Sequence, residues 1–310
     1  MSSNIAIVFP GQGSQSLGML ADLAQQFSIV NELFEQASEI LHKDLWKIVL
    51  EGPIEELNKT VNTQPAMLTA DFAMWRVFSE VHKEIQPVLM AGHSLGEYSA
   101  LVASGAMAFP EAVALVAKRA ELMQTAVPQN EGGMAVILGL SLDNIAKACM
   151  DAARIGLVEP VNFNAPGQIV IAGNIHAVNK ACELAKSAGA KRAMLIPVSV
   201  PAHSQLMKPA AEKFKDYLDK VEISQPKYPV MNNVDVEIEL DPEMIRTALF
   251  NQLFNPVRWI EIIEKMVSDG IKIIIECGPG KVLTGLNKRI TSEATSMSLD
   301  GSDLDTFSIE

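Results

Sequence analysis

A glycine-flanked serine between an apolar run and a helical segment constrains this chain more than any other feature. The apolar residues 88–91 run directly into residues 92–96 (GHSLG), after which a helical pattern begins. A strand, then Gly-x-Ser-x-Gly, then a helix is the setting of a nucleophile elbow. The pattern predicts that the turn presents the Ser94 hydroxyl at a helix N-terminus, where the Leu95 N–H can stabilise an oxyanion. The alternative is a glycine-rich turn without chemistry.

Strand-like and helical segments alternate over both ends of the chain, which predicts a largely parallel sheet covered on both faces. Residues 4–9, 88–91 and 271–277 are typical of buried strands. The run Thr63-Gln64-Pro65 predicts a helix that begins there, with proline in its first turn, and continues to about residue 81. The polar and acidic residues 292–310 are expected to be loosely held.

The middle of the chain follows a different order. Strand, helix, strand, strand, helix and strand patterns succeed one another between residues 134 and 198. This βαββαβ order is the ferredoxin-like pattern. We therefore predict an α/β fold with a catalytic core formed by residues 1–129 and 200–310, into which a ferredoxin-like subdomain of residues 130–199 is inserted.

Composition narrows the classes of partner and compartment. The 310 residues carry a formal net charge of −12, which opposes binding to nucleic acid. The longest apolar strand-like run, residues 271–275, is too short to cross a bilayer, and the N-terminus lacks the basic region of a signal peptide. Cys149, Cys182 and Cys277 are widely spaced, which suits a reducing compartment and favours neither disulfides nor zinc. We expect a cytoplasmic protein without nucleic-acid or membrane partners.

A serine nucleophile needs a base, and His203 is the best candidate among five histidines. It lies in residues 201–204 (PAHS), a loop directly after a predicted strand, although a structural histidine is the alternative. His93 is adjacent to the serine, so its side chain is expected to diverge into a structural contact. Surface roles are expected for His42 and His82, and His176 opens a helix of the insertion. Because no acid lies in an obvious position, we expect a dyad rather than a triad.

Arg119 lies on the apolar face of its predicted helix. At 100° per residue it falls within the arc occupied by Leu115, Val116, Ala120, Leu122, Met123 and Val127. A guanidinium on a buried face is costly unless an anion meets it. Two readings remain open: an ion pair with an internal Asp or Glu, or a site for a substrate carboxylate, which arginine binds bidentately.

A second glycine-rich loop, residues 11–13 (GQG), follows the first strand. It lacks the spacing of a dinucleotide fingerprint and has no Gly-Lys-Ser/Thr, so nucleotide binding is not expected. A backbone N–H in this loop is a candidate for the second oxyanion donor.

Together these segments resemble the bacterial malonyl-CoA:acyl carrier protein transacylase family. The matching stretches run in the family's order through nearly the whole chain: residues 9–15 (FPGQGSQ), 63–66 (TQPA), 92–99 (GHSLGEYS), 162–164 (NFN), 200–204 (VPAHS), 232–235 (NNVD) and 278–281 (GPGK), with Arg119 and Gln252. The resemblance implies an α/β-hydrolase-like core with a ferredoxin-like insertion.

The resemblance also implies roles for single residues. Ser94 would be the nucleophile and His203 the general base, which the Gln252 backbone carbonyl orients. The backbone N–H groups of Gln12 and Leu95 would form the oxyanion hole. Arg119 would hold the malonyl carboxylate, and Asn162 and Met123 would line the site.

The implied reaction moves malonyl from malonyl-CoA to the phosphopantetheine thiol of acyl carrier protein through a malonyl-serine ester, without a metal or bound cofactor. A serine hydrolase of the same fold needs the same nucleophile and base, but a general esterase has no need for a buried cation. A non-catalytic acyl-binding module is the third alternative. The presence of Ser94, His203 and Gln12 argues against that third reading.

Overall fold

The structure, a computed structural model, describes residues 4–198 and 200–299. The strands are Ile5–Phe9 (β1), Leu89–Gly92 (β2), Gly132–Leu138 (β3), Val158–Ala165 (β4), Gln168–Asn174 (β5), Arg192–Leu195 (β6), Val230–Met231 (β7), Ile273–Glu276 (β8) and Thr295–Ser298 (β9). The helices before the insertion are Ala21–Gln26 (α1), Ser28–Leu41 (α2), Leu45–Glu51 (α3), Ile54–Leu57 (α4), Thr60–Val81 (α5), Gly96–Ala103 (α6) and Phe109–Gln124 (α7). The later helices are Leu142–Ala152 (α8), Ile175–Ser187 (α9), Lys208–Leu218 (α10), Pro242–Gln252 (α11), Trp259–Ser268 (α12) and Val282–Ile290 (α13). No helix within these described ranges is long and apolar enough to cross a membrane.

The core contains a five-stranded sheet in the order β7-β2-β1-β8-β9, and all its neighbouring pairs are parallel. The central strand β1 is apolar throughout and fully buried. A strand without a polar face has to be covered on both sides, and separate apolar clusters lie on the two faces of this sheet. The mixed α/β class predicted from the alternating segments is confirmed.

The parallel arrangement gathers four loops at one edge of the sheet. Because the strands run the same way, the chain leaves β1, β2, β7 and β8 at their carboxyl ends on the same side. Phe9 and Gly92 are paired in the register of β1 and β2, so the loops that follow them begin side by side. This edge therefore brings the segment 10–15 to the serine turn.

The insertion forms a separate four-stranded antiparallel sheet in the order β4-β5-β3-β6, with helices α8 and α9 packed on it. This is the strand order of a ferredoxin-like βαββαβ unit. The insertion leaves the core after α7, which carries Arg119, and returns just before His203. We keep the boundaries 1–129, 130–199 and 200–310 as a proposal.

The predicted start of α5 is wrong. The helix begins at Thr60, so Pro65 lies inside it rather than in its first turn. Proline has no N–H to donate to the carbonyl four residues earlier, here that of Val61. The Lys43 Nζ donates a hydrogen bond to that carbonyl at 3.0 Å. A side chain distant in sequence thus replaces the missing helical hydrogen bond, which local spacing could not reveal.

The predicted loosely held segment, residues 292–310, is in fact partly a strand. Thr295–Ser298 forms β9, which pairs in parallel with β8 and closes one edge of the core sheet. The polar composition of this strand concealed it, because an edge strand needs backbone partners more than apolar side chains. Residues 300–310 lie outside the described residues.

Candidate active site

The serine turn depends on a close approach between the start of α6 and the ends of β1 and β2. A side chain at Gly92 would place its Cβ 1.8 Å from the carbonyl carbon of Gly96, and one at Gly96 would lie 2.1 Å from the Phe9 oxygen. Ser94 itself has a φ of 53°, in the left-handed region that is costly for a residue with a side chain. The two glycines permit this strained turn, which the surrounding packing maintains.

Ser94 and His203, 109 residues apart, form a hydrogen-bonded pair. The Ser94 Oγ lies 2.7 Å from the His203 Nε2. The His203 Nδ1 lies 2.7 Å from the backbone oxygen of Gln252. Since a carbonyl only accepts, Nδ1 carries the hydrogen, and in a neutral imidazole Nε2 then accepts from the serine hydroxyl. This geometry is that of a nucleophile and a base oriented by a third group.

The environment keeps the His203 imidazole neutral. The side chain is 3% exposed. Burial, and then the nearby Arg119 charge, lower the pKa of His203 to about 3, although the hydrogen bond to the Gln252 carbonyl acts in the opposite direction. Above that pH the ring is available as a proton acceptor.

Two backbone N–H groups beside the serine are free to donate. Among the hydrogen bonds of residues 4–198 and 200–299, none is donated by the N–H of Gln12 or of Leu95. The loops that carry them touch, because a Cβ at Gly11 would lie 3.7 Å from the Leu95 nitrogen. The Thr60 hydroxyl donates to the Gln12 side-chain oxygen at 2.7 Å and fixes that residue against α5. Such a pair of donors suits an oxyanion.

Arg119 is a buried cation next to the nucleophile. The residue is 1% exposed, and its Nη2 lies 3.4 Å from the Ser94 Oγ. Its Nη1 donates to the Gln64 side-chain oxygen at 2.7 Å, and Nη2 donates to the Gln252 side-chain oxygen at 2.9 Å. The guanidinium also lies over the Tyr98 ring, 5.3 Å from its centroid.

The internal ion pair considered for Arg119 is not found in the described part of the chain. None of the Asp or Glu side chains there approaches its guanidinium within 4.0 Å, and its Nε has no hydrogen-bond partner. Its direct partners are two amides and the Ser94 hydroxyl, all of them neutral, and burial lowers the pKa of Arg119. A buried cation without a partner anion can receive one from a ligand.

Met123 and Asn162 are less closely tied to this centre. The Met123 sulfur accepts from the Gln64 Nε2 at 3.7 Å, which connects it to Arg119 through one residue. Asn162 lies at an irregular position of β4, beside Val257, and its buried Oδ1 has no partner among the described residues. No hydrogen bond joins Asn162 to Ser94 or His203 in that part of the chain, so its place in the site stays a prediction.

Two of the other histidines, His93 and His82, contact other parts of the chain. The His93 Nε2 lies 2.8 Å from the Asn164 Oδ1, and the His93 ring packs on Trp259. His93 therefore joins the serine turn to the insertion. His82 is buried against the Phe78 ring, so the surface role expected for it is wrong.

Sequence reasoning assigned no role to three polar residues that surround the site. Gln64 binds Arg119, the Asn233 side chain accepts from the Ser94 N–H at 2.7 Å, and Glu97 is a buried carboxylate below the serine turn. All three lie in the stretches that carried the resemblance. Nothing in their local pattern indicated which side chains they would meet.

Comparisons with known proteins show which proteins this chain is similar to. Residues 6–300 match the family described as "Acyl transferase domain". The malonyl CoA-acyl carrier protein transacylase of Salmonella typhimurium is 53% identical over 298 residues, which are 96% of this chain and 96% of that protein.

Two solved structures are similar over nearly the whole chain. An acyl carrier protein S-malonyltransferase from Vibrio cholerae is 54% identical, with a TM-score of 0.93, over 96% of this chain and 97% of that one. A type II PKS acyl-carrier protein in complex with its malonyl-transacylase matches at 53% identity and a TM-score of 0.95, over 98% of both chains.

The depressed pKa of His203 predicts a pH dependence of folding stability. Between its ordinary value of 6.5 and about 3, the unfolded chain binds a proton at this imidazole and the folded chain does not. The site therefore loses about 1 kcal/mol of stability for each pH unit below the ordinary value. We expect His203→Asn to gain stability relative to the parent by this amount as the pH falls.

Urea denaturation of both proteins between about pH 7 and pH 5 measures the effect. His42→Asn, at an exposed helix end, is the control for the loss of one imidazole. If the difference in unfolding free energy between His203→Asn and the parent did not change with pH, the folded chain would protonate His203 at its ordinary pKa.

Proposed function

Because this chain belongs to the acyl transferase family, and within it to the malonyl-CoA:acyl carrier protein transacylases, we propose that Ser94 and His203 carry out its malonyl transfer. The enzyme moves malonyl from malonyl-CoA to the phosphopantetheine thiol of acyl carrier protein, a step of fatty acid biosynthesis. The serine hydrolase alternative is not favoured by these relationships.

The observation that carries the residue assignment is the position of Arg119. Its Nη2 lies 3.4 Å from the Ser94 Oγ, and its described neighbours leave the guanidinium without a carboxylate. The malonyl carboxylate is separated from its thioester carbonyl by one methylene group. A cation beside the nucleophile therefore matches the length of this acyl group, and arginine suits carboxylate geometry.

In the first half-reaction, the Ser94 hydroxyl gives its proton to the His203 Nε2 while its oxygen attacks the thioester carbonyl. The N–H groups of Gln12 and Leu95 bind the oxyanion of the tetrahedral intermediate. Its collapse expels coenzyme A, whose sulfur receives the proton from His203, and leaves a malonyl ester. The bound carboxylate also neutralises the Arg119 charge, which makes the transient imidazolium less unfavourable.

In the second half-reaction, the carrier thiol replaces coenzyme A. It gives its proton to His203, and its sulfur attacks the ester carbonyl. Collapse of the new intermediate forms the malonyl thioester, and Ser94 recovers its proton. Water would give malonate by the same route, so transfer requires that the thiol react faster than water.

A cytoplasmic location belongs to the same proposal. Its support is the chemistry of the cysteines, since Cys149, Cys182 and Cys277 are buried free thiols, as suits a reducing compartment.

The acyl-enzyme is directly testable. We expect malonyl-CoA alone to leave one malonyl group on Ser94, detected by the mass of the intact protein and by peptide mapping. Ser94→Ala should remain unlabelled. With carrier protein added, loaded carrier should form faster than free malonate. A label on a cysteine would contradict the assignment, and malonate release that outpaces loading would favour a hydrolase.

Removal of the buried cation should affect malonyl selectively. We expect Arg119→Ala to lower kcat/KM for malonyl-CoA by roughly 100-fold or more, because loss of one partner of a buried pair costs about 3–5 kcal/mol. Acetyl-CoA, which brings no anion, should lose less. Lys118→Ala is the matched control, since Lys118 is the preceding residue and pairs with Glu121. Unchanged malonyl selectivity would make Arg119 structural.

The resemblance implies an acidic carrier protein, and this enzyme is itself acidic, so docking requires a local cationic surface. We propose the exposed pairs Lys288–Arg289 on α13 and Lys191–Arg192 at β6. The Arg289 Nη2 donates to the Pro166 carbonyl at 3.0 Å. Gly167, the next residue of that turn, accepts a hydrogen bond from the Gly139 N–H at 2.7 Å, and the Lys191 side chain lies against Gly139. The two pairs therefore lie on one side of the molecule.

Charge reversal of either pair to glutamate should raise the KM for carrier protein by roughly tenfold and weaken its salt dependence. The rate of Ser94 acylation by malonyl-CoA should not change. Lys213→Glu with Lys215→Glu, two exposed lysines on α10, is the control of equal charge. If neither pair alters the KM, the carrier docks elsewhere.

A further inference from the structure

Glu97 is a buried carboxylate to which the transfer steps assign no role. It lies on α6, three residues after the nucleophile, and is 3% exposed. Within the described ranges, no Lys or Arg side chain lies within 4.0 Å of it. Its Oε2 instead accepts two hydrogen bonds at 2.9 Å, from the Asn233 N–H and from the Gln252 Nε2. A buried carboxylate with neutral partners is costly, so its presence calls for a reason.

One of these partners, Gln252, connects the parts of the candidate site. Its Nε2 also donates to the Ser94 carbonyl at 2.9 Å, and its Oε1 accepts from Arg119 at 2.9 Å. Its backbone oxygen accepts from the His203 Nδ1. An ionised carboxylate only accepts, so Glu97 requires the NH₂ end of this amide to face it. The amide oxygen is then directed to Arg119.

The other partner, Asn233, supports the serine turn. Its Oδ1 accepts from the Ser94 N–H at 2.7 Å, and its Nδ2 donates to the Gly92 carbonyl at 2.7 Å. Glu97 binds the backbone N–H of the same residue. A single carboxylate thus holds two amide residues that contact the backbone on either side of the strained serine.

We infer that Glu97 is a positioning residue: its ionised carboxylate fixes Gln252 and Asn233, and through them the direction of the Arg119 guanidinium and the backbone of the serine turn. The inference rests on the proposed function, because it assigns Glu97 to the same transfer. Glu97 touches none of the reacting atoms and acts through the two amides.

The ionisation of Glu97 falls near neutral pH. Burial raises the pKa of Glu97 to about 7, and the hydrogen bond from Gln252 offsets part of this effect. Of the charged and titratable groups around α6, Arg119 of α7, Asp235 after β7 and the adjacent Tyr98 interact electrostatically with Glu97. Asp71 of α5 accepts a hydrogen bond from the Ser99 hydroxyl on the same helix. Arg119 lowers the pKa of Glu97, and Asp235 raises it.

This titration separates Glu97 from the base. With a pKa of about 3, His203 is already neutral where Glu97 gains its proton. As the pH falls through about 7, Glu97 loses its charge and transfer slows. The acidic limb of kcat/KM against pH therefore reports Glu97 rather than His203.

The test compares Glu97→Gln, Glu97→Ala and the parent in malonyl transfer from about pH 5.5 to pH 9. Glutamine keeps the shape of the side chain and an acceptor oxygen, so the Glu97→Gln variant should fold and remain active. Its kcat at the alkaline end should be about tenfold lower than that of the parent, and its KM for malonyl-CoA should change less. Its profile should lack the acidic limb. Glu97→Ala, whose side chain has no acceptor, should lower kcat by about a hundredfold or more. Glu80→Gln, an exposed change on α5, should behave as the parent.

An acidic limb in Glu97→Gln at the parent's position would overturn the inference, and so would kcat values equal to the parent's in both variants. The proposed function fails by a different result, the absence of malonyl on Ser94 in the parent. The labelling experiment on the parent therefore distinguishes the two failures.

Discussion

The buried guanidinium of Arg119 is the constraint around which the rest of the site is arranged. A cation removed from water needs acceptors, and the fold supplies two amide oxygens, from Gln64 and Gln252, together with the Tyr98 ring. Neutral acceptors stabilise the charge without cancelling it. The site therefore keeps a cation available to a ligand, at the expense of a buried charge that the surrounding structure must tolerate.

The fold supplies the neighbours of Arg119 by bringing together segments that are distant in the chain. α7 carries Arg119 up to the insertion, and the chain returns from the insertion at His203. α11 ends at Gln252, whose backbone contacts the imidazole while its side chain contacts the guanidinium. A base and a cation close to each other would repel if both were charged, and the low pKa of His203 avoids this.

Two differences from the sequence-based prediction share one cause. Pro65 is tolerated inside α5 because the Lys43 side chain donates a hydrogen bond to the Val61 carbonyl, which proline cannot do. β9 forms because β8 offers an unpaired edge, although its own residues are polar. In both cases a partner from elsewhere in the chain outweighs the local pattern.

Local pattern was enough to predict the alternating core, the βαββαβ order of the insertion, the serine turn and a buried Arg119. These depend on periodicity and glycine spacing, which are properties of adjacent residues. Only the tertiary structure decided that Gln252, Glu97 and Asn233 form one network beneath Ser94. An amide or carboxylate in a sequence does not reveal its partner, because a hydrogen bond is defined by distance and direction in the folded chain.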